Sequence, residues 1–108
     1  MATQGSERSE LAWLDERETL TVTELTRACA LSEDELDELV GYGALAPLRA
    51  TPRETVFSAA WVMPLRQAAR LRRDLDLDLF SVSILLGLME RIDGLETELR
   101  SLKARAHR

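Results

Sequence analysis

A chain of 108 residues with 45% apolar content supports one compact domain and leaves little room for a second. Charged residues make up 31% and aromatics only 5%; Leu, Ala, Glu and Arg outweigh the β-branched and aromatic residues that favour strands, so the composition predicts a mainly α protein. The net charge of −5 is unevenly spread: residues 1–20, 21–43 and 74–93 are net acidic, while 44–73 and the last fifteen are net basic, a segregation that points to partner or subunit contacts rather than solubility alone.

Residues 1–19 read as a flexible acidic N-terminal segment, polar at first, with "LAWL" at 11–14 as a short helical turn packing back onto the domain. Thr21 and Thr23 are both suited to cap a helix over about 23–29, and Glu24 follows Thr21 at the spacing of a capping box. Ser32 with Glu35 makes a second box after the tight Leu31-Ser32 connection, and Leu36, Leu39 and Val40 give the second helix an apolar face that ends before Gly43. Pro47 and Pro52 bracket a polar stretch followed by "TVF", which predicts two short strands joined by a loop. Residues 58–75 return to helical spacing through Leu65, Ala68, Ala69 and Leu71, with Pro64 either starting the helix or kinking it. "DLDLDLF" at 74–80 alternates like a strand, yet with helical patterns on both flanks a lone strand would have no partner, so it is expected to be a helix end, a turn and a helix start.

The last helix repeats Leu85, Leu88, Ile92, Leu95, Leu99, Leu102 and Ala106 at alternating spacings of three and four, a coiled-coil seam. A seam so short, interrupted by Gly87 and Gly94, needs another surface. Asp93, Glu96 and Glu98 precede Arg100, Lys103 and Arg105, so two antiparallel copies would match opposite charges; a parallel pair can also match, and folding back on its own domain is the alternative. The expected organisation is a helix-turn-helix domain over 20–80 and a dimerisation helix over 81–108.

Cys29 is the one cysteine and is expected in the core; His107 is expected at a solvated end. No phosphate loop, metal-ligand spacing or Ser/His/Asp set is present, so the expectation is a non-enzyme without cofactor or metal. The start lacks secretory-signal features and no apolar run approaches the roughly 20 residues of a membrane span, so the expected location is cytoplasmic. Trp61, Phe57 and Phe80 are the sparse anchors, of which at least two are expected in the core.

The segment "LSEDELDELVGYGALAP" at 31–47 has the spacing of a DNA-reading helix but carries Glu33, Asp34, Glu35, Asp37 and Glu38. Duplex affinity comes largely from Lys and Arg neutralising phosphates, and each carboxylate held a few ångströms from a phosphate would add repulsion of about 1 kcal/mol or more. Acids in the first turn complement the helix dipole, but Asp37 and Glu38 lie beyond it. Such a helix suits a cationic protein surface.

The order of elements resembles the winged helix-turn-helix of the MerR-like superfamily over residues 20–106, through Thr21, Glu24, Leu25, Leu31, Ser32, Leu36, Gly43, Leu45 and Pro47. DNA-binding members usually carry basic residues where Asp34, Asp37 and Gly41 stand here, and an aromatic one in place of Glu38. Within that outline the chain is similar to the CbpM chaperone-modulator family, by the acidic segment and by "LRRDLDLDLFSV" with Leu71, Arg72, Leu75, Leu77, Asp78 and Val82. The resemblance implies a MerR-like fold with a two-strand wing and a C-terminal coiled-coil dimer helix. It also implies a cytoplasmic homodimer that binds the J-domain of a DnaJ-type, CbpA-like co-chaperone and keeps it from the Hsp70 chaperone DnaK, which J-domains engage through a strongly basic helix. Asp34, Asp37 and Glu38 are the first expected partner-binding residues; Asp74, Asp76 and Asp78 form a competing patch, although Asp78 also suits a helix cap. Arg66, Arg70, Arg72 and Arg73 read as a solvated face in which Arg70 and Arg73 neutralise Asp74 and Asp76. The alternatives are a DNA-binding regulator using Arg49, Arg53, Arg66 and Arg70, and a purely structural dimer module.

Overall fold

The computed structural model describes residues 18–107; the expected turn at 11–14 and most of the acidic N-terminal segment lie outside them. Strand β1 (Thr19–Thr21) leads directly into helix α1 (Val22–Cys29), and a three-residue connection, Ala30 to Ser32, leads to α2 (Glu33–Gly41). Strands β2 (Arg49–Ala50) and β3 (Thr55–Ser58) follow, then a 3-10 turn (Ala59–Trp61), α3 (Val62–Leu75) and α4 (Leu79–Ala106).

Both expected capping boxes form. The Thr21 hydroxyl accepts from the Glu24 amide while the Glu24 carboxylate accepts from the Thr21 amide, and Ser32 and Glu35 repeat the arrangement. Each box satisfies two helix-end donors, which lets α1 and α2 follow one another with almost no linker. The first helix ends on Ala30 at φ 57°, with the Leu31 amide donating to the Thr26 carbonyl. The second ends at Gly43, φ 80°, where the Gly43 and Ala44 amides return to the Val40 and Leu39 carbonyls; glycine adopts that left-handed conformation without a Cβ penalty.

The sheet has three strands, not the expected two. Its order is β1-β3-β2, antiparallel throughout, with Leu20 opposite Phe57 and Arg49 opposite Val56. Thr19 therefore belongs to the folded domain, and its strand was missed because three residues are too few to show a period. Val56 and Phe57 of β3 are both buried, at 3% and 2% exposure, with β3 packed against α1.

Leu25, Leu36, Leu39, Leu65 and Leu86 are all within 1% of complete burial and meet in a single core drawn from all four helices. Pro64 stands in the first turn of α3 and starts it without a kink, where a missing amide costs nothing. Cys29 is buried as expected; its thiol donates to the Val62 carbonyl at 3.7 Å, and burial pushes its pKa up to about 11 against a small opposing effect of Arg66. Of the three anchors, Phe57 is fully buried in the core, Trp61 is half-buried and packed against it, and Phe80 is 56% exposed.

The "DLDLDLF" junction is a helix end, a turn and a helix start. Asp76 ends α3 at φ 53°, a left-handed conformation that a short polar side chain tolerates. Asp78 caps α4, its Oδ1 accepting from the Ser81 amide at 2.7 Å. The last helix then runs 28 residues. Its first three turns bury Val82 and Leu86, whereas beyond Met89 every described residue is exposed.

Candidate functional site

The apolar side of α2, Leu36 and Leu39, faces the core, which turns Asp34, Asp37 and Glu38 outward. Spacings of three and four place these three carboxylates together on one face. No lysine or arginine lies on this helix. Glu35 is set apart from them: it sits at the edge, its carboxylate both closing the capping box and pairing with Arg72 of α3. The Ser32 amide first, and Arg72 second, hold its pKa below the usual carboxylate range. Arg72 is thus partly buried and occupied by α2, which corrects the expected solvated face. Arg66 is also used inside the fold, donating to the Ala28 carbonyl at 3.0 Å in the last turn of α1, a position where a cation complements the helix end.

The end of α2 meets the start of α4 at two aromatic rings. Tyr42 and Phe80 pack edge to face with centroids 5.4 Å apart and planes at 81°. The Tyr42 hydroxyl donates to Glu38 at 2.9 Å. That bond raises the tyrosine pKa, with smaller contributions from desolvation and from the nearby charges of Glu38 and Asp78. The two expected acidic patches come near one another at this junction: Glu38 accepts from Tyr42, and Asp78, the cap of α4, stands two residues before Phe80. The amide of Ser81 holds the Asp78 pKa low and fixes it as an anion. Asp74 and Asp76 are exposed at the end of α3, with Asp76 engaged by its backbone in ending that helix.

The sequence singled out the carboxylates but not Tyr42, although Tyr42 stands four residues after Glu38 and so on the same helix face. The sequence could not tell which of Trp61, Phe57 and Phe80 are core, so the exposure of Phe80 was not legible in it. The pairing of Glu35 with Arg72 joins residues 37 apart, and no local pattern marks it.

Of the residues considered for DNA, two are already engaged within the fold. Arg49 is paired with Glu54 across the wing at 3.6 Å, Arg66 is held by α1, and Arg53 and Arg70 stand exposed on the wing and on α3.

On α4, Leu88, Ile92, Leu95, Leu99 and Leu102 are each 51–55% exposed and form one continuous stripe. Leu85, expected in this seam, is partly buried against the chain's own core, whereas its neighbour Ile84 is 52% exposed. The difference arises because α4 turns the Val82, Leu85, Leu86 side toward the other helices before it leaves the domain. No helix among the described residues is long and apolar enough to cross a membrane.

Residues 20–104 match the family of MerR HTH regulatory proteins. The chain is 36% identical over 90 residues to the chaperone modulatory protein CbpM of Escherichia coli K12 strain DH10B, an alignment covering 83% of this chain and 89% of the relative. The CbpM proteins of Escherichia coli O157:H7 and Shigella boydii serotype 18 are similar to the same extent, 36% over 90 residues. Both descriptions are of regulators, not of enzymes. On the strength of this similarity and of the acidic helix-turn-helix it is built around, the chain belongs to the CbpM chaperone-modulator family, on the MerR-type helix-turn-helix scaffold.

Proposed function

We propose that this protein is a cytoplasmic chaperone modulator that binds the J-domain of a DnaJ-type, CbpA-like co-chaperone and thereby prevents that J-domain from engaging DnaK. The observation that carries this reading is the exposed face of α2, where Asp34, Asp37 and Glu38 stand together without a cation on the helix and are extended by Asp78. Opposite potentials steer encounter and set orientation, and the basic helix by which a J-domain reaches Hsp70 is the complementary surface. Occupying that helix blocks DnaK by simple exclusion. Asp74 and Asp76 border the same junction and add to its negative field.

The protein works as a homodimer, with residues 20–80 forming the binding domain and 81–108 the dimerisation helix. The open stripe of Leu88, Ile92, Leu95, Leu99 and Leu102 supports this, because a half-exposed seam of this regularity is stabilised when a second copy covers it.

Calorimetric titration with a purified J-domain at two salt concentrations tests the reading. Binding should weaken as salt rises, and Asp34→Asn, Asp37→Asn and Glu38→Gln together should lower affinity at least tenfold while flattening the salt dependence. Unchanged affinity in the triple variant would remove α2 as the contact. Tight binding of duplex DNA with a steep logarithmic salt slope, and none of a J-domain, would replace the reading altogether.

A further inference from the structure

Tyr42 and Phe80 are packed against each other, yet remain 46% and 56% exposed. Their edge-to-face contact fastens α2 to α4 and leaves open ring surface. Anions stand beside that surface: Glu38 accepts the Tyr42 hydroxyl bond at 2.9 Å, and Asp78 caps α4 two residues before Phe80. Both are held in place before any partner arrives, Glu38 by the tyrosine and Asp78 by the Ser81 amide. Arg72, which reaches α2 from the neighbouring helix, is engaged by Glu35.

Aromatic faces attract cations placed within about 6 Å of the ring centroid, and the apolar stem of a lysine or arginine covers ring surface while its head stays with carboxylates. A neutral apolar side chain here would strip water from two carboxylates without compensation. Resting on the J-domain reading of this face, we propose that Tyr42 and Phe80, rimmed by Glu38 and Asp78, seat one lysine or arginine side chain of the partner's cationic helix. The seat gives a centre to an interface otherwise made of exposed charge, in keeping with the prominence of Tyr and Arg at binding hot spots.

The test uses the full chain and a J-domain, with calorimetry as the readout and circular dichroism and sedimentation as controls. Phe80→Leu retains apolar bulk without a ring face and should weaken binding about tenfold. Tyr42→Leu should do the same, whereas Tyr42→Phe keeps the ring and should cost about twofold. Changing each Lys and Arg of the partner's basic helix to Gln should reveal one position whose loss matters in the wild type and hardly at all in Phe80→Leu. Wild-type affinity in both leucine variants, or additive losses at every partner position, would overturn the seat while leaving the J-domain reading intact. Conversion of the dimer to monomer by Phe80→Leu would also overturn it, by assigning the ring to the second copy instead. Failure of the wild type to bind any J-domain would overturn the J-domain reading and the seat with it.

Discussion

Over residues 79–89, α4 turns Val82 and Leu86 into the common core and packs Leu79, Leu85 and Met89 against it. Over residues 90–106 the same spacing leaves Ile92, Leu95, Leu99 and Leu102 about half exposed, on a helix that projects roughly 25 Å at 1.5 Å per residue. A heptad rhythm reports that a face is apolar; it does not report what covers that face. In the first half the cover is α2 and α3, and in the second the face stands open among the described residues.

Two truncations of equal chemistry should separate the halves by the largest margin. Leu86→Ala removes a side chain 1% exposed, on the scale of core truncations that cost about 2–5 kcal/mol. Leu95→Ala removes one that is 55% exposed within the monomer. It should leave the unfolding of dilute monomer nearly unchanged and act on self-association, read by sedimentation equilibrium. Urea unfolding at concentrations on both sides of the association midpoint checks both. Equal losses in dilute solution would mean that the far half is covered within the chain.

The same contrast explains what was legible in the sequence. Both capping boxes, the ending of α2 at Gly43 and the break in "DLDLDLF" are local events with local signatures, and Thr21, Ser32, Gly43 and Asp78 carry them. The outward carboxylates of α2 were equally plain, because Leu36 and Leu39 fix which side is inward. The aromatic pair and the Glu35 to Arg72 link were not, since each joins helices distant in the chain. Strand β1 escaped for a different reason: its three residues owe their conformation to pairing with β3 rather than to their own propensity. That Leu85 packs partly against the chain's own core was not legible either, because periodicity marks an apolar stripe without saying what covers it.

A smaller effect tests whether α2 holds the first half of α4 in place. Ser32→Ala removes the cap that accepts from the Glu35 amide at 3.0 Å, a loss of about 1 kcal/mol. Amide exchange should quicken in α2 and in residues 79–89 together, because they share one core. Exchange over residues 90–106, which touch nothing else in the described chain, should be untouched at low concentration. Quickening along the whole helix would show that its two halves are a single cooperative unit.

The smallest effect belongs to the link between α2 and α3. Glu35 has its pKa lowered in the folded state by the Ser32 amide and by Arg72, so its contribution is fully present above the carboxylate's unfolded pKa and is lost as pH falls through the folded one. Glu35→Gln preserves a residue able to close the capping box but not the charge that pairs with Arg72, and at this partly exposed position it should cost under about 1 kcal/mol at pH 7. The gap between variant and wild type, measured by urea midpoints, should narrow as pH drops below about 4.5, the carboxylate's ordinary value. Asp78, whose pKa is held low by the Ser81 amide, loses its capping contribution in the same direction. Acid should therefore loosen the attachment of α2 and the start of α4, the two elements that carry the proposed partner face. A gap that stays constant to pH 3 would show that Glu35 acts through helix geometry alone and that Arg72 adds no charge-dependent hold.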